Sequence, residues 1–433
     1  MISGKAGCGM QYAVRKGGSA VGYCALSIRC GTRDEEGFHG GIAHFVEHTI
    51  FKGTRHRSAS VINGYLDRLG GELNAFTTKE EIVFHATVLK EDLGKAAALL
   101  LELATQATFP EHEIQTEKGV VIDEINSYKD NPSEDIYDRF EEMLFEGHPL
   151  SGAILGTAAS VRKITREELL KFVREKFLPE RMAFTIVADI EEKKMEKDVL
   201  RLAERFFGDC HVPQGLAMTC GDDAVTCDEG GENAGACAVC GEDGKGPEAV
   251  QFDKTLNKRN HQANCVIGGL APSLYQERER LATVLLCNIL GGPASNSILN
   301  SVLREKNGWV YGVECSYTQY ADTGIATICL GCDKDNLDKC LRAIDKELAK
   351  LQAEPLSERR LKAAKKQLLG QLAISGDNGE TQCLSMGKGL LAYGKVSSGK
   401  ENRSLVEAVT AEDIREMACR IFSKENLSRL IYI

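Results

Sequence analysis

Two histidines and a glutamate stand close together in the stretch "GGIAHFVEHTIFKGT", at positions 44, 47 and 48. On an α-helix, residues four apart lie about 40° apart around the axis, so His44 and His48 would share one face. Two imidazoles one turn apart can bind one zinc ion. Glu47 lies beside His48, where its carboxylate can accept a proton from water next to the metal. The spacing indicates a metal-dependent hydrolytic site; the alternative is a helix with two incidental histidines.

A hydrolytic zinc site takes three protein ligands and keeps one position open, so a third ligand must come from elsewhere. The segment 111–130, "EHEIQTEKGVVIDEINSYKD", is predicted to be a helix. Residues at spacings of three and four form one stripe on it, namely Ile114, Glu117, Val121, Glu124 and Tyr128. Carboxylates among apolar neighbours need a partner, and a cation is a good one. Spacing alone leaves an alternative open, in which the core face is Ile114, Val121 and Ile125 and both glutamates are solvated.

The elements that must position these residues repeat along the chain. One half ends "SVRKITREELLKFVREKFLPERMAFTIVADI" and the other "LVEAVTAEDIREMACRIFSKENLSRLIYI". Each combines a Thr N-cap signal, an amphipathic helix, a turn and a β-rich strand. Hairpins are predicted at 72–78 with 81–89 and at 310–320 with 323–333. Short hairpin connections favour antiparallel pairing, so the predicted fold is α+β, with two structurally repeated domains, each a mainly antiparallel sheet covered by helices.

An acidic, glycine-rich stretch divides the two halves. Residues 221–250 contain eight acidic residues, one basic residue and seven glycines, with too little apolar side chain to offset the entropy of ordering. We therefore predict an N-terminal domain at 1–208, a flexible linker at 209–250 and a C-terminal domain at 251–433. Cys237 and Cys240 form a single CxxC in this linker, which is a weak indication of a second, structural zinc site.

Composition and charge exclude several classes of protein. The chain has 433 residues, 43% of them hydrophobic, and a formal net charge of −10, which argues against a nucleic-acid partner. No run approaches the roughly 18 apolar residues of a membrane span, and the first residues lack the features of a targeting segment. The 16 cysteines lack the spacing of a disulfide framework. We expect no membrane association, a reducing compartment and a cytoplasmic location.

These motifs resemble those of the pitrilysin-type zinc metallopeptidases, the M16 family, and especially its short bacterial members. The similarity lies in "RCGTRDEEGFHGGIAHFVEHTIFKGT", "LGGELNAFTTKEE" and "EKGVVIDEI", and it extends over nearly the whole chain. In that family an inverted H-x-x-E-H motif is followed by a ligand glutamate with a second glutamate shortly before it. The resemblance implies that His44, His48 and Glu124 bind one Zn²⁺ per chain. It also implies that Glu47 is the general base and that Glu117 supports catalysis by orienting a ligand.

The resemblance also implies how substrate is bound. The segment "LREKNGWVYGVECSY" matches a family motif in which Arg304 and Tyr311 contact substrate near the scissile carbonyl. From the residues alone, they could equally be a helix-terminal cation and an ordinary strand residue. An extended peptide would add as a strand beside Asn74 and Ala75.

A chain of this length that carries both motifs is expected to form a homodimer. Each site would then combine the zinc ligands of one subunit with Arg304 and Tyr311 of the other. The expected function is zinc-dependent endopeptidase activity on unfolded or short peptides, bound as an added strand in an enclosed chamber. Two alternatives stay open: a presequence-type processing peptidase that works with a partner subunit, and a non-catalytic peptide-binding scaffold.

Overall fold

Two β-sheets, one from each half of the chain, organise the protein. The computed structural model describes residues 1–208, 247–258 and 261–433. The strands of the first sheet are β1 (Ile2–Lys5), β2 (Gln11–Lys16), β3 (Val21–Ile28), β4 (Glu72–Thr77), β5 (Ile82–Leu89) and β6 (Met182–Ala188). The strands of the second sheet are β7 (Asp253–Leu256), β8 (Gln262–Ala271), β9 (Val310–Gln319), β10 (Gly324–Asp333) and β11 (Ser428–Tyr432).

Helices cover both sheets. Those of the first half are α1 (Ile42–Ile50), α2 (Ala59–Asp67), α3 (Leu93–Gln106), α4 (Glu111–Asp130), α5 (Pro132–Leu144), α6 (Ala158–Lys163), α7 (Arg166–Lys176) and α8 (Glu192–Phe207). Those of the second half are α9 (Glu277–Gly291), α10 (Leu337–Ala353), α11 (Glu358–Gly376), α12 (Gly379–Tyr393), α13 (Gly399–Ala408) and α14 (Ala411–Ile421). Across the three described ranges, no helix has both the length and the apolar composition that a membrane crossing requires.

The two sheets share one topology. The strand order is β1-β2-β6-β3-β5-β4 in the first sheet and β7-β11-β8-β10-β9 in the second. In each sheet one pair is parallel, β2 with β6 and β7 with β11, and the other neighbours are antiparallel. The predicted hairpins are β4 with β5 and β9 with β10. These observations confirm the α+β class, the mainly antiparallel sheets and the internal repeat. Strand β1 of the first sheet has no counterpart in the described part of the second sheet.

The repeat is encoded locally by matching helix caps. The hydroxyl of Thr165 accepts a hydrogen bond from the backbone N–H of Glu168 at the start of α7. In the second half, Thr410 accepts one from the N–H of Asp413 at the start of α14. Each cap satisfies a donor that the first turn leaves unpaired, and a sheet strand follows each helix. The Thr N-cap signals of the two halves therefore mark equivalent elements.

Each half of the chain covers one face of the other half's sheet. Helix α12 packs on the first sheet, where its buried Met386 and Leu390 share a cluster with Val187 of β6. Helix α5 packs on the second sheet, where Phe140 lies in a cluster with Tyr432 of β11. Burying each such large apolar side chain contributes about 1.5–3 kcal/mol. The two halves are thus joined by exchanged helices as well as by the chain between them.

Only positions 247–250 of the predicted linker belong to the described residues, and they form no helix or strand. Cys237 and Cys240 lie outside the described residues. The predicted flexibility of the linker and its second zinc site stay predictions.

The turns of the two equivalent hairpins meet at partly buried charges. Arg33 donates from Nη1 to Oε1 of Glu80 at 2.7 Å and to Oδ1 of Asp322 at 2.9 Å. The backbone N–H of Ala321 donates to both carboxylate oxygens of Glu80 at 3.1 Å. Glu80 belongs to the turn between β4 and β5, and Asp322 to the turn between β9 and β10. These bonds fix the end of strand β4 against the second half of the chain.

Candidate metal centre

Helix α1 begins at a tightly packed glycine. Gly41 has φ +89°, and a Cβ atom there would lie 2.7 Å from the carbonyl oxygen of Leu155, so a larger residue does not fit. The carboxylate of Glu35 accepts hydrogen bonds from the N–H groups of Gly41 at 2.8 Å and Ala43 at 2.9 Å, which satisfies two donors at the helix start. Burial raises the pKa of Glu35 to about 8, although both hydrogen bonds act in the opposite direction.

The apolar side of α1 decides where its histidines point. Phe45, Val46 and Ile50 are fully buried in the core of the first half. His44 and His48 therefore share the side that faces α4, with ring centroids 4.7 Å apart. The predicted helix with both imidazoles on one face is present.

Helix α4 has the bounds predicted from the sequence, 111–130. Its buried residues are Ile114, Glu117, Val121 and Ile125. Glu117 is 6% exposed within this core face, so the interpretation that left both glutamates solvated is wrong for Glu117. The Glu124 side chain is 33% exposed at the edge of the same face. Tyr128 is 39% exposed and does not continue the buried stripe.

The two helices bring three donor groups together. Oε2 of Glu124 lies 3.3 Å from Nε2 of His48 and 3.8 Å from Nε2 of His44. One donor atom from each of the three residues lies within 4.8 Å of the other two. Ligands about 2.0–2.1 Å from a tetrahedral zinc ion are about 3.3–3.4 Å from each other. Two imidazoles and one carboxylate fit a zinc ion in chemistry; the 3.3 Å separation matches this spacing, and the 3.8 Å separation is wider.

Burial keeps His44 neutral. Its residue surface is 7% exposed, and burial, followed by the neighbouring His48, lowers the pKa of His44 to about 3. A neutral imidazole keeps a lone pair for a metal ion. Its Nδ1 atom is buried and has no hydrogen-bond partner among the described residues.

Glu117 contacts the second histidine from the side away from Glu124. Oε2 of Glu117 lies 3.3 Å from Nδ1 of His48, while Nε2 of the same ring faces Glu124. Nζ of Lys52 lies 2.6 Å from the other Glu117 oxygen, Oε1. A carboxylate on the second nitrogen of a metal-binding histidine fixes the ring orientation and the tautomer. Glu117 thus contacts the ring nitrogen of His48 that faces away from Glu124, and its orienting role stays a prediction. Sequence reasoning did not indicate the contact with Lys52.

Glu47 is held by a residue of strand β4. The hydroxyl of Thr77 donates a 2.6 Å hydrogen bond to Oε2 of Glu47. Burial raises the pKa of Glu47 and the charge of Glu124 adds to this, whereas the Thr77 bond and His48 lower it. Sequence reasoning missed Thr77. The sequence feature that could have indicated Thr77 is the two-residue alternation of β4, which places Thr77 on the same face as Ala75.

Asn74 and Ala75 lie on an exposed sheet edge beside these groups. Among the described residues, strand β4 pairs with β5 alone, so one side of its backbone is an open sheet edge there. Asn74 is exposed and Ala75 is half-buried. A cleft of about 400 Å³ has Glu47, His48 and Glu117 among its lining residues, together with Asn74 and Ala75. The edge strand therefore shares one cleft with Glu47 and with His48, one of the three candidate ligands.

Arg304 and Tyr311 lie in the second half of the chain. Arg304 is exposed in a π-helical turn, Asn300–Glu305, and Tyr311 follows on β9, an edge strand of the second sheet. Tyr311 is 58% exposed, and its phenol donates a 2.8 Å hydrogen bond to Asp333, which raises the pKa of Tyr311. Within the described ranges, no hydrogen bond or ion pair connects Arg304 or Tyr311 to His44, His48 or Glu124.

Known proteins resemble both halves of the chain. Residues 13–158 match the model described as "Insulinase (Peptidase family M16)", and residues 163–368 match "Peptidase M16 inactive domain". A Rickettsia bellii protein named "Uncharacterized zinc protease" is 29% identical over 94% of this chain and 91% of its own length. The Bacillus subtilis protein "Uncharacterized zinc protease YmxG" is 29% identical over 93% of this chain and 91% of its own.

Solved structures share the fold along the whole chain. A protease from Helicobacter pylori superimposes with a TM-score of 0.83 at 19% identity, covering 100% of this chain and 98% of its own. A putative M16-like peptidase from Alicyclobacillus acidocaldarius gives a TM-score of 0.80 at 17% identity, covering 100% and 97%. Together the two family models span most of the chain, and this protein belongs to peptidase family M16.

Proposed function

We propose that this protein is a zinc-dependent endopeptidase that hydrolyses unfolded or short peptides. The observation that carries the proposal is the convergence of His44, His48 and Glu124, with donor atoms within 4.8 Å of one another. Glu47 lies on the same helix, between the two histidines in sequence. The names of the relatives support zinc protease chemistry. The match of residues 163–368 to a domain described as inactive does not by itself assign the catalytic role to either half.

One Zn²⁺ per chain would be held by His44, His48 and Glu124. When bound, it supplies Lewis-acid chemistry, which polarises a peptide carbonyl and makes water a stronger acid. Glu47 accepts the proton from the attacking water and delivers it to the leaving amine. Thr77 donates to Oε2 of Glu47, and no hydrogen bond among the described residues engages Oε1. Glu117 keeps the His48 ring in place through Nδ1.

The substrate would bind as an extended strand along β4. The open backbone side of this edge strand offers N–H and C=O groups, and main-chain pairing of this kind tolerates many side chains. Asn74 and Ala75 would lie opposite the peptide, which would then pass the cleft that contains Glu47. A folded protein cannot present an extended segment, so the proposal restricts the substrates to unfolded or short peptides.

Arg304 and Tyr311 would donate hydrogen bonds to the substrate near the scissile carbonyl. To do so, the Tyr311 phenol must leave Asp333, its acceptor in the single chain. Both residues are exposed, and within the described part of one chain neither forms a hydrogen bond or ion pair with His44 or His48. We therefore propose a homodimer around an enclosed chamber, in which one subunit supplies the metal centre and the other supplies Arg304 and Tyr311.

The Glu47→Gln variant tests the proposed chemistry. Glutamine keeps the shape of the side chain and can still accept from Thr77, but it cannot take up the water proton. We expect about one zinc per chain in both proteins and loss of cleavage of a fluorogenic unstructured peptide in the variant. Addition of a chelator should stop the wild type, and zinc should restore it. Peptidase activity retained by Glu47→Gln would contradict the role of Glu47, and zinc binding without any cleavage by the wild type would favour the scaffold alternative.

Mixing two inactive variants tests the shared sites. Glu47→Gln chains and Arg304→Ala chains should regain part of the activity when mixed, because one of the two sites in a mixed dimer has intact residues from both subunits. Native mass spectrometry can establish that mixed dimers form. Mixed dimers without activity would contradict shared sites, and cleavage that requires a different partner chain would favour the processing-peptidase alternative.

A further inference from the structure

We propose that Lys52 is a positioning residue of the metal centre: its ammonium group holds the Glu117 carboxylate against His48 and so sets the zinc affinity. This inference rests on the proposed function, because it assumes that His48 is a zinc ligand. Lys52 lies outside the H-x-x-E-H motif. Among the described residues, it forms no hydrogen bond or ion pair with His44, His48 or Glu124.

The backbone around Lys52 is fixed to the start of α4. Lys52 lies two residues after the end of α1, and its N–H donates to the carbonyl of Thr49 at 3.1 Å. The next residue, Gly53, has φ +154°, and a Cβ atom there would lie 3.2 Å from Oγ1 of Thr108 and 3.3 Å from Cγ of Pro110. The N–H of Thr108 donates to the carbonyl of Gly53 at 3.0 Å. The chain that leaves the histidine helix is therefore tied to the residues just before α4, on which Glu117 lies.

The two oxygens of Glu117 have different partners. Nζ of Lys52 lies 2.6 Å from Oε1, and Nδ1 of His48 lies 3.3 Å from Oε2. The Glu117 side chain is 8% exposed and that of Lys52 is 22% exposed, so water competes weakly for either contact. Charge-assisted hydrogen bonds are short and directional. With Oε1 held by Lys52, Oε2 stays directed at the His48 ring.

The charges around the metal centre give Lys52 a second role. Three carboxylates, those of Glu47, Glu117 and Glu124, belong to the centre, and Lys52 forms an ion pair with Glu117. In the described part of the chain, no other lysine or arginine forms an ion pair with any of these three carboxylates. Removal of Lys52 leaves Glu117 as a buried charge without its cation, which is strongly unfavourable. The carboxylate then gains by turning towards water, away from His48.

The consequence is a weaker metal site. Glu117 holds His48 with Nδ1 as the donor, which leaves Nε2 as the acceptor on the side of Glu124. Loss of an orienting partner of a metal-binding histidine lowers metal affinity about 10–100-fold. Lys52 acts through Glu117, one contact further away, so we expect the lower end of this range.

The test is the zinc affinity of variants, measured by competition with a chromophoric chelator. Lys52→Met should bind zinc about tenfold more weakly than the wild type, and Lys52→Arg should recover most of the loss because it restores a cation. Lys118→Met is the matched control. Lys118 is next to Glu117 on α4 but donates to the carbonyl of Arg162 at 3.0 Å, so the same substitution there should leave the zinc affinity unchanged. If Lys52→Met does not fold, Lys52→Gln carries the same comparison.

A double-variant cycle separates positioning from general stability. In the Glu117→Gln background, Lys52→Met should cause no further loss of zinc affinity, since the carboxylate through which Lys52 acts is gone. An equal loss in both backgrounds would overturn the proposal, as would wild-type affinity in Lys52→Met. A wild-type chain that binds no zinc would instead refute the proposed function. Wild-type affinity in Lys52→Met, with cleavage by the wild type intact, refutes the role of Lys52 alone.

Discussion

Removing the hydroxyl of Thr77 is expected to slow peptide hydrolysis without disturbing the metal centre. The hydroxyl donates a 2.6 Å hydrogen bond to Oε2 of Glu47, and Thr77→Val keeps the shape of the side chain without the donor. A hydrogen bond to a charged group contributes about 1.5–3 kcal/mol, which corresponds to about ten- to one-hundredfold in rate if the bond holds Glu47 in its reactive position. We therefore expect kcat to fall by this factor.

The pH dependence of kcat is a second measurement that tests the role of the Thr77 hydroxyl. The Thr77 hydrogen bond lowers the pKa of Glu47, whereas burial raises it. Loss of the bond therefore raises the pKa, and because a general base must be ionised, the acidic limb of the kcat profile should move to higher pH. The Thr77→Ser variant keeps the donor and should retain most of the activity.

The assay is steady-state cleavage of a fluorogenic peptide, with zinc content measured on the same samples. KM and zinc content should stay close to the wild-type values, because Thr77 contacts none of the proposed ligands. Thr87→Val on the neighbouring strand β5 is a matched control with no effect expected. A Thr77→Val enzyme with wild-type kcat would refute the reasoning, as would a change confined to KM.

Two further predictions concern stability. Burial raises the pKa of Glu35 from 4.5 to about 8 in the folded protein, so the folded chain holds this proton more tightly than the unfolded chain and stability falls as pH rises through this interval. In urea unfolding of the metal-free protein, the free energy of unfolding should fall less between pH 5 and pH 8 for Glu35→Gln than for the wild type. Equal falls in the two proteins would contradict the raised pKa of Glu35. Met386 is 2% exposed on α12, so Met386→Ala should lower the free energy of unfolding by about 2–5 kcal/mol. The control Leu372→Ala, at a side chain 48% exposed, should change it by less than about 0.5 kcal/mol.

The sequence predicted those parts of the fold that local patterns determine. The helix at 111–130 has the predicted bounds because its apolar spacing and its position after Pro110 are local signals. The two hairpins and the matched caps at Thr165 and Thr410 follow from equally short patterns. The i, i+4 spacing of His44 and His48 also needed only the helix.

Long-range packing accounts for what the sequence did not reveal. The pattern of α12 indicates that one face is buried, but nothing local specifies that it packs on the sheet of the other half. Glu117 looked equally suited to core and solvent, because its partner Lys52 is 65 residues away in sequence and meets it only after α1 and α4 have packed. Thr77 was missed for the same reason, since its acceptor Glu47 lies on another element.

Anomalous diffraction at the zinc absorption edge, from crystals of the wild-type protein, tests the central claim most directly. We predict one peak per chain about 2.0–2.2 Å from Nε2 of His44, Nε2 of His48 and a carboxylate oxygen of Glu124. Absence of the peak from zinc-supplemented crystals, or a peak held by other residues with these three turned away, would contradict the account.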